Sequence, residues 1–465
     1  MPTRRHFLLG ITSIAVAPLA AQTFDLVIAN GRVIDPESSL DGIRNIGISN
    51  GQIAAITTGL LNGRTTIDAA GLVVSPGFID LHAHQQTPET YRLQARDGVT
   101  TAFELELGTG DVDAWYAARS RSLINHGVSI GHIRVRMAVM KDPGASFPTA
   151  DAAHRAATPA EIRAISQHIL EGLKEGAVSI GAGFAYTPAA KDDELLEIFR
   201  VAARERTTIH VHTRRGLAGV EEVLRFAGET KARLHIVHIN STGAAATRAV
   251  LQTIAGAQAR GVDVTTEAYP YAAGMTEIQS ANLDEYEKAT DDRLAQLEWP
   301  RTGERLTRES FQKYRKAGGP VVLHTNTDEM VAIAVTSPLT MIASDSYWEG
   351  GTGHPRTSGT FSKVLGRYVR EARSLSLMGA LRKMTLMPAQ RLEGRVAAMK
   401  AKGRLRVGAD ADITIFDAGR VIDRSTYRDP GLPPLGIRHV IVNGVPVVAN
   451  EQLVEGVAPG KAIRA

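Results

Sequence analysis

Two histidines, His82 and His84, close the run Ser75-Pro-Gly-Phe-Ile-Asp-Leu-His-Ala-His84. An apolar strand leads into them. Residues two apart on a strand point to the same face, so both imidazoles can converge on one ion at the strand's C-terminal end, and imidazole nitrogen is a common ligand of divalent metals. Taken alone, a His-x-His pair is equally an ordinary polar strand end. Its company decides for a metal. His212 closes Thr207-Thr-Ile-His-Val-His212, His238 closes Leu234-His-Ile-Val-His238, and Asp345 closes Leu339-Thr-Met-Ile-Ala-Ser-Asp345, each a ligand-type side chain at the end of a predicted strand. His210 and His235 lie deeper on the same strands, which predicts core or ligand-supporting roles, and His324, ending Pro320-Val-Val-Leu-His324, is left unassigned.

Side chains so far apart in the chain need a scaffold that brings strand ends together. Between about residues 75 and 390 strand-like runs alternate with helical ones, the pattern of parallel βαβ units. Helices are predicted over 159–175, 192–206, 219–230 and 244–260. Eight strands can be drawn, ending near Ala83, Glu106, Val135, Ile180, His212, His238, Tyr269 and Asp345. This predicts an α/β fold, a (β/α)8 TIM-type barrel, which carries its chemistry at the C-terminal ends of its strands. Residues of about 277–320, with Trp299-Pro300 and many charges, are too long for a plain loop and read as an insertion and a lid. Short strand patterns fill 22–74 and recur in 396–465, so both chain ends are expected to pair in one small discontinuous β-rich domain around a barrel of 75–395.

Composition narrows the chemistry. The 465 residues are 43% hydrophobic and 22% charged, ordinary for a globular protein and too apolar for a disordered one. The net charge of +4 comes from 53 basic against 49 acidic residues, with no Lys/Arg block and no basic stripe interleaved with aromatics, so no nucleic-acid partner is expected. The chain has no cysteine, which excludes disulfides and thiolate ligands and leaves nitrogen and oxygen donors for any metal. Its start, Thr3-Arg-Arg-His-Phe-Leu-Leu-Gly10, an apolar run from Ile11 to Ala17 and Pro18-Leu-Ala-Ala21, reads as a twin-arginine-like signal peptide over 1–21. That run is shorter than the roughly 20 residues needed to span a bilayer. An exported protein, periplasmic or secreted, without stable membrane insertion is expected.

Laid out this way, the chain resembles the amidohydrolase superfamily of metal-dependent (β/α)8-barrel hydrolases, and within it the N-acyl-D-amino-acid deacylase (D-aminoacylase) branch. The strand entering at Ser75 and the phrase Gly403-Arg-Leu-Arg-Val-Gly-Ala-Asp-Ala-Asp412 are general to the superfamily. More specific to the branch are Gly176-Ala-Val-Ser-Ile-Gly-Ala-Gly-Phe-Ala-Tyr186-Thr-Pro188, His212-Thr-Arg214, Tyr269-Pro-Tyr271 and His354-Pro-Arg356-Thr-Ser-Gly-Thr-Phe361. The resemblance implies that His82 and His84 are the ligands of the first barrel strand, His212 and His238 those of the fifth and sixth, and Asp345 the carboxylate of the eighth. A carboxylated lysine, used on the fourth strand by many members, has no counterpart in Ala177-Val-Ser-Ile-Gly-Ala-Gly183, because Lys174 falls before it. D-aminoacylases place a cysteine on the second strand. Here Thr100-Thr-Ala-Phe-Glu-Leu-Glu-Leu-Gly108 offers Glu104 and Glu106 on one face, and Glu106, nearer the strand's end, is the expected bridging ligand. A carboxylate in place of a thiolate widens the range of ions; one or two zinc ions are expected first, with manganese, iron and cobalt compatible.

The same resemblance implies hydrolysis of a linear amide, most simply of an N-acyl amino acid, with Asp345 as general base. The implied partner is a small-molecule amide carrying a carboxylate. Arg356 would clamp that carboxylate bidentately, with a structural salt bridge as its plainer alternative. Tyr186, Tyr269 and Tyr271 would line the pocket, or simply pack with hydrogen-bonded hydroxyls. Asn240 stands among the substrate contacts where the branch has a lysine, and a neutral amide cannot pair with a carboxylate as a cation does. The nearest alternative activity is cyclic-amide hydrolysis, as in dihydroorotase- or hydantoinase-like relatives. A different class, an exported non-catalytic binding protein, would have no use for the general base.

Overall fold

The computed structural model describes residues 23–214 and 216–465. The signal-peptide reading of 1–21 lies outside them. The chain enters through β1 (Thr23–Asp35), β2 (Leu40–Ser49), β3 (Gln52–Thr57), β4 (Asn62–Asp68) and β5 (Val73–Pro76). Barrel strands follow: β6 (Phe78–Asp80), β7 (Val99–Thr109), β8 (Asn125–Gly131), β9 (Ile180–Gly183), β10 (Thr208–His212), β11 (Arg233–Ile236) and β12 (Val264–Ala268). An insertion contributes β13 (Gly274–Glu277), β14 (Leu297–Trp299), β15 (Glu304–Arg305) and β16 (Pro320–Leu323) before β17 (Thr340–Ile342) completes the barrel. A hairpin of β18 (Trp348–Glu349) and β19 (Thr352–Gly353) leads on, and β20 (Ile413–Phe416), β21 (Ile437–Val442), β22 (Val445–Ala449) and β23 (Gln452–Leu453) return to the first sheet.

The barrel runs in the order β17-β12-β11-β10-β9-β8-β7-β6, with every neighbour parallel. Its seam is closed just past the strand ends. Ala83 bridges Ser346 in parallel, with His84 N–H donating to Ser346 O at 3.2 Å and Ser346 N–H to His82 O at 3.3 Å. Asp80 reinforces this seam by accepting from the backbone N–H of both His82 (3.1 Å) and Ser344 (3.0 Å). Strands covered by helices outside and packed side chains inside are buried on both faces, and β7 is buried from Val99 to Gly108. The second sheet joins both chain ends, because β20 pairs antiparallel with β5 while β5 pairs parallel with β1. Its core interleaves Leu26, Ile28, Val33 and Ile46 with Ile413, Ile415 and Ile441.

One expectation is corrected. The third barrel strand stops at Gly131, not Val135, and residues His132–Met140 form a helix, α3, following α1 (Pro88–Arg96) and α2 (Val112–Ala117). Gly131 is the switch: a Cβ there would sit 2.0 Å from Leu107 O, so only glycine lets β8 close on β7 and turn. Beyond it, burial of Ile133, Met137 and Met140 follows helical spacing. Where the sequence analysis expects an insertion, β13, β16, β14 and β15 form an antiparallel sheet over its own core of Ile278, Leu283, Leu294, Trp299 and Phe311.

Candidate metal centre

All six expected ligands gather at the C-terminal mouth of the barrel. His82, His84, Glu106 and Asp345 offer donor atoms within 4.8 Å of one another, as do Glu106, His212 and His238. Glu106 is the shared member. Its Oε2 lies 2.5 Å from His82 Nε2, 3.6 Å from His84 Nε2 and 3.7 Å from His238 Nε2, and its Oε1 lies 2.8 Å from His212 Nδ1. Asp345 Oδ1 is 3.4 Å from His82 Nε2 and 3.2 Å from His84 Nε2. Both His238 (φ 32°) and Asp345 (φ 52°) hold left-handed backbone that non-glycine residues rarely adopt. Strain of this kind is tolerated where it aims a functional side chain, and here it turns both groups in from their strand ends.

Behind the ligands stands a layer of carboxylates. His82 Nδ1 meets Glu267 Oε1 at 2.6 Å, and His84 Nδ1 meets Glu104 Oε2 at 2.8 Å. Glu104 thus sits on the far side of His84 rather than among the converging donors, while Glu106 is at their centre. Glu267 also meets His235 Nε2 at 3.0 Å, and His235 Nδ1 meets Thr265 Oγ1 at 2.8 Å. His235 is therefore ligand-supporting, whereas His210 is buried with neither ring nitrogen hydrogen-bonded among the described residues, and His324 pairs with Glu298 at 3.0 Å away from the centre.

This arrangement fits a cation. If the Nδ1 hydrogens of His82 and His84 go to their carboxylates, the usual reason for such partners, both Nε2 lone pairs face inward. They then oppose each other at 3.1 Å and oppose the oxygens of Glu106 and Asp345. Lone pairs on neutral rings and carboxylates repel, and a divalent ion between them converts the repulsion into coordination. The charge balance agrees, because Glu104, Glu106, Glu267 and Asp345 are buried together and, among the described residues, Arg356 is the one arginine in ion-pair contact with any of the four, 2.9 Å from Asp345. Burial depresses the His82 imidazolium, yet Asp345, Glu106 and Glu267 outweigh it and hold His82 up to about 10. Burial likewise raises Glu106 and Asp345, but His212 and His82 for the first, and Arg356 and His82 for the second, leave both below their ordinary range.

A cavity of about 1180 Å³ opens above this centre. His84, Glu106, His212, His238 and Asp345 are on its wall, with Tyr186 and Tyr269. The Tyr186 ring packs 4.9 Å from His212, and its hydroxyl is 3.2 Å from Thr276 Oγ1 in the insertion. The other expected substrate contacts are placed differently. Tyr271 is turned away, its hydroxyl donating to Asp423 at 3.0 Å. Asn240 is tied on both amide atoms to the backbone of Tyr269, at 3.3 and 3.4 Å. Arg356 is fully buried behind Asp345, stacked 4.7 Å over Tyr269, so it meets the base rather than the cavity. Neither Asp80 nor Glu267 is picked out by sequence reasoning. An acid in a central parallel strand is the signal that could have found them, since burying one is costly without a partner.

Fold and site together define a class, (β/α)8 barrels with a histidine and carboxylate metal centre at the mouth. Residues 73–447 match the amidohydrolase family, and the chain belongs to it. It is 30% identical to an N-acyl-D-glutamate deacylase of Alcaligenes xylosoxydans xylosoxydans over 95% of this chain and 97% of that protein. A D-aminoacylase of the same organism is 29% identical over 95% and 98%. The crystal structure of N-acyl-D-glutamate deacylase from Bordetella bronchiseptica, complexed with zinc and a phosphonate mimic of the tetrahedral intermediate, is similar with a TM-score of 0.83 at 30% identity. That likeness covers 96% of this chain and 100% of the other.

Proposed function

We propose that this protein is a metal-dependent deacylase that hydrolyses the linear amide of an N-acyl amino acid. The observation that carries the reading is the convergence of His82, His84, Glu106, His212, His238 and Asp345, from five barrel strands or their ends, on one mouth. One or two zinc ions held by these six residues would supply Lewis acidity to water and to the amide carbonyl. Asp345 supplies the proton transfers. Its Oδ1 faces the centre while Arg356 engages Oδ2 at 2.9 Å, which keeps the carboxylate ionised and fixes which oxygen is free to accept. That oxygen takes a proton from the attacking water as the new C–O bond forms, and returns it to the nitrogen as the C–N bond breaks. Tyr186, buried against His212, excludes water from one side of the reacting carbonyl. No serine or cysteine nucleophile is required.

The test is a metal-loaded preparation offered N-acyl amino acids of both hands, N-acyl-glutamates first, beside ring amides. Release of free amine that stops on chelation and returns with zinc is expected. Hydrolysis that survives complete metal removal, or turnover of ring amides alone, overturns the reading. The twin-arginine-like segment supports export as part of the same proposal; among the described residues no helix is long and apolar enough to cross a membrane. Fractionation of the producing cell, with protein retained in the cytoplasm as the contrary result, checks it.

A further inference from the structure

The most buried arginines among the described residues each meet a carboxylate: Arg136 meets Glu194 at 3.1 Å, Arg356 meets Asp345 at 2.9 Å, Arg404 meets Glu393 at 2.9 Å, and Arg391 meets Asp263. Two half-buried arginines on the cavity wall do not. Arg134, in the first turn of α3, donates to Ala145 O at 2.6 Å, and no carboxylate oxygen among the described residues lies within 4.0 Å of it. Arg119, just past α2, donates to Gln86 O at 2.8 Å and Trp115 O at 2.9 Å and stacks 4.0 Å over the Trp115 ring, again without an ion pair. Burial lowers both guanidiniums, and Glu104 is an acid close enough to both to oppose that electrostatically. Glu104 is already committed to His84 Nδ1 and to the backbone N–H of Leu107.

Glu277, on the same wall, also opposes the lowering of Arg134 and accepts from the Gln279 side chain, and further acids there are committed elsewhere. Asp142 accepts from the backbone N–H groups of Gly144, Thr149, Ala150 and Ala152, and Asp111 caps α2 through Ala114 N–H. Arg134 and Arg119 therefore lie near Glu104, and Arg134 also near Glu277, without forming an ion pair with either acid, and Arg134 keeps guanidinium N–H groups with no carboxylate partner among the described residues on the cavity wall. A planar guanidinium with free N–H groups matches a carboxylate.

We propose that Arg134, assisted by Arg119, is the carboxylate-recognition site of this cavity, and that the amide hydrolysed carries a free carboxylate directed to the β8–α3 wall. This rests on the amide-hydrolase reading and adds which residues select the substrate. It also accounts for the placement of Arg356 and Asn240, neither of which presents a free polar group to the cavity.

The experiment compares kcat/KM of the zinc-loaded enzyme on three amides: an N-acyl amino acid, the same acyl group on the decarboxylated amine, and an N-succinyl amine, whose carboxylate lies in the acyl half. A charge-assisted hydrogen bond of about 1.5–3 kcal/mol predicts a preference of about tenfold to 150-fold for one carboxylate-bearing amide over the neutral one. The preferred member shows which half carries the group. In Arg134→Ala that ratio collapses toward one, chiefly through KM; Arg134→Lys keeps part of it, and Arg119→Met reduces it less. A ratio near one in the natural enzyme, or a full ratio in Arg134→Ala of unchanged zinc content, overturns the proposal. Calorimetric binding of an N-alkyl amino acid, whose amine cannot be hydrolysed, reads the same contact without turnover. If no amide is cleaved but this binding depends on Arg134, the hydrolase reading fails and the carboxylate site stands; if the binding is indifferent to Arg134, the site fails.

Discussion

Glu267 offers the sharpest test of the centre, because it touches no expected ligand atom that faces the metal. It lies on β12, meets His82 Nδ1 at 2.6 Å and His235 Nε2 at 3.0 Å, and has a side chain only 2% exposed. Its charge favours a proton on His82 Nδ1, and that proton is what leaves Nε2 free to coordinate. Groups in this position change metal affinity by about 10- to 100-fold, or about 1.4–2.8 kcal/mol. The structure separates two substitutions. In Glu267→Gln the carbonyl oxygen can still accept from His82 Nδ1–H while the amide donates to His235 Nε2, and His235 turns its remaining proton to Thr265 Oγ1, 2.8 Å away. Geometry then survives and only the charge is lost, so a fall of about tenfold is expected. Glu267→Ala also removes the acceptor and leaves His82 free to adopt either tautomer, so a loss near 100-fold is expected. Competition for zinc against a chelator of known affinity measures both, with circular dichroism to confirm folding. Folded Glu267→Ala with the natural zinc affinity would refute the idea that this carboxylate sets the His82 tautomer.

Asp345→Asn should keep much of its metal yet lose roughly 100- to 10,000-fold in kcat, the usual range for a general base; near-normal turnover removes Asp345 from that role. Glu106→Ala should lower zinc content measured by elemental analysis, because Glu106 is common to both groups of donors. If Glu104→Ala empties the site while Glu106→Ala does not, the bridging assignment is wrong. Gly131→Ala should cost about 1–3 kcal/mol by overpacking, since its methyl would press on Leu107 O at 2.0 Å, and an unchanged Tm would contradict the tight β7–β8 crossover.

The parts of this molecule legible in the sequence are those where one stretch of chain carries the whole signal. An apolar run that ends in His84, His212 or His238 declares both the strand and the place where its side chain emerges. What escapes notice depends on partners from distant strands. Nothing local to Thr266-Glu267 announces that His82 and His235 will flank it, nor does Asp80 show that it will hold Ser344 across the barrel seam. Val128-Ser-Ile-Gly-His-Ile-Arg-Val135 reads as one alternating strand until the approach of Leu107 to Gly131 is known. The insertion is legible as an insertion from its length, but its sheet is not, because its buried residues are widely spaced and Trp299 finds Tyr314, stacked at 4.0 Å, only once the chain has doubled back. Tyr271 and Asn240 sit in motifs that point to substrate, yet a motif fixes position along the chain and not the direction of a side chain.

The sheet built from both chain ends has a consequence for synthesis. β1 and β5 leave the ribosome early, whereas the partner that completes their layer, β20, begins only at Ile413. Until then Leu26, Ile28 and Val33 have Ile46, Ile48 and Val74 beside them but lack Ile413, Ile415 and Ile441, which complete their cover in the finished molecule. Each such side chain is worth about 1.5–3 kcal/mol once out of water, so the nascent protein carries a partly uncovered apolar surface until β20 is made. Completion of this layer is thereby tied to synthesis past Ile413, and a product truncated before it keeps that surface open to chaperones and proteases.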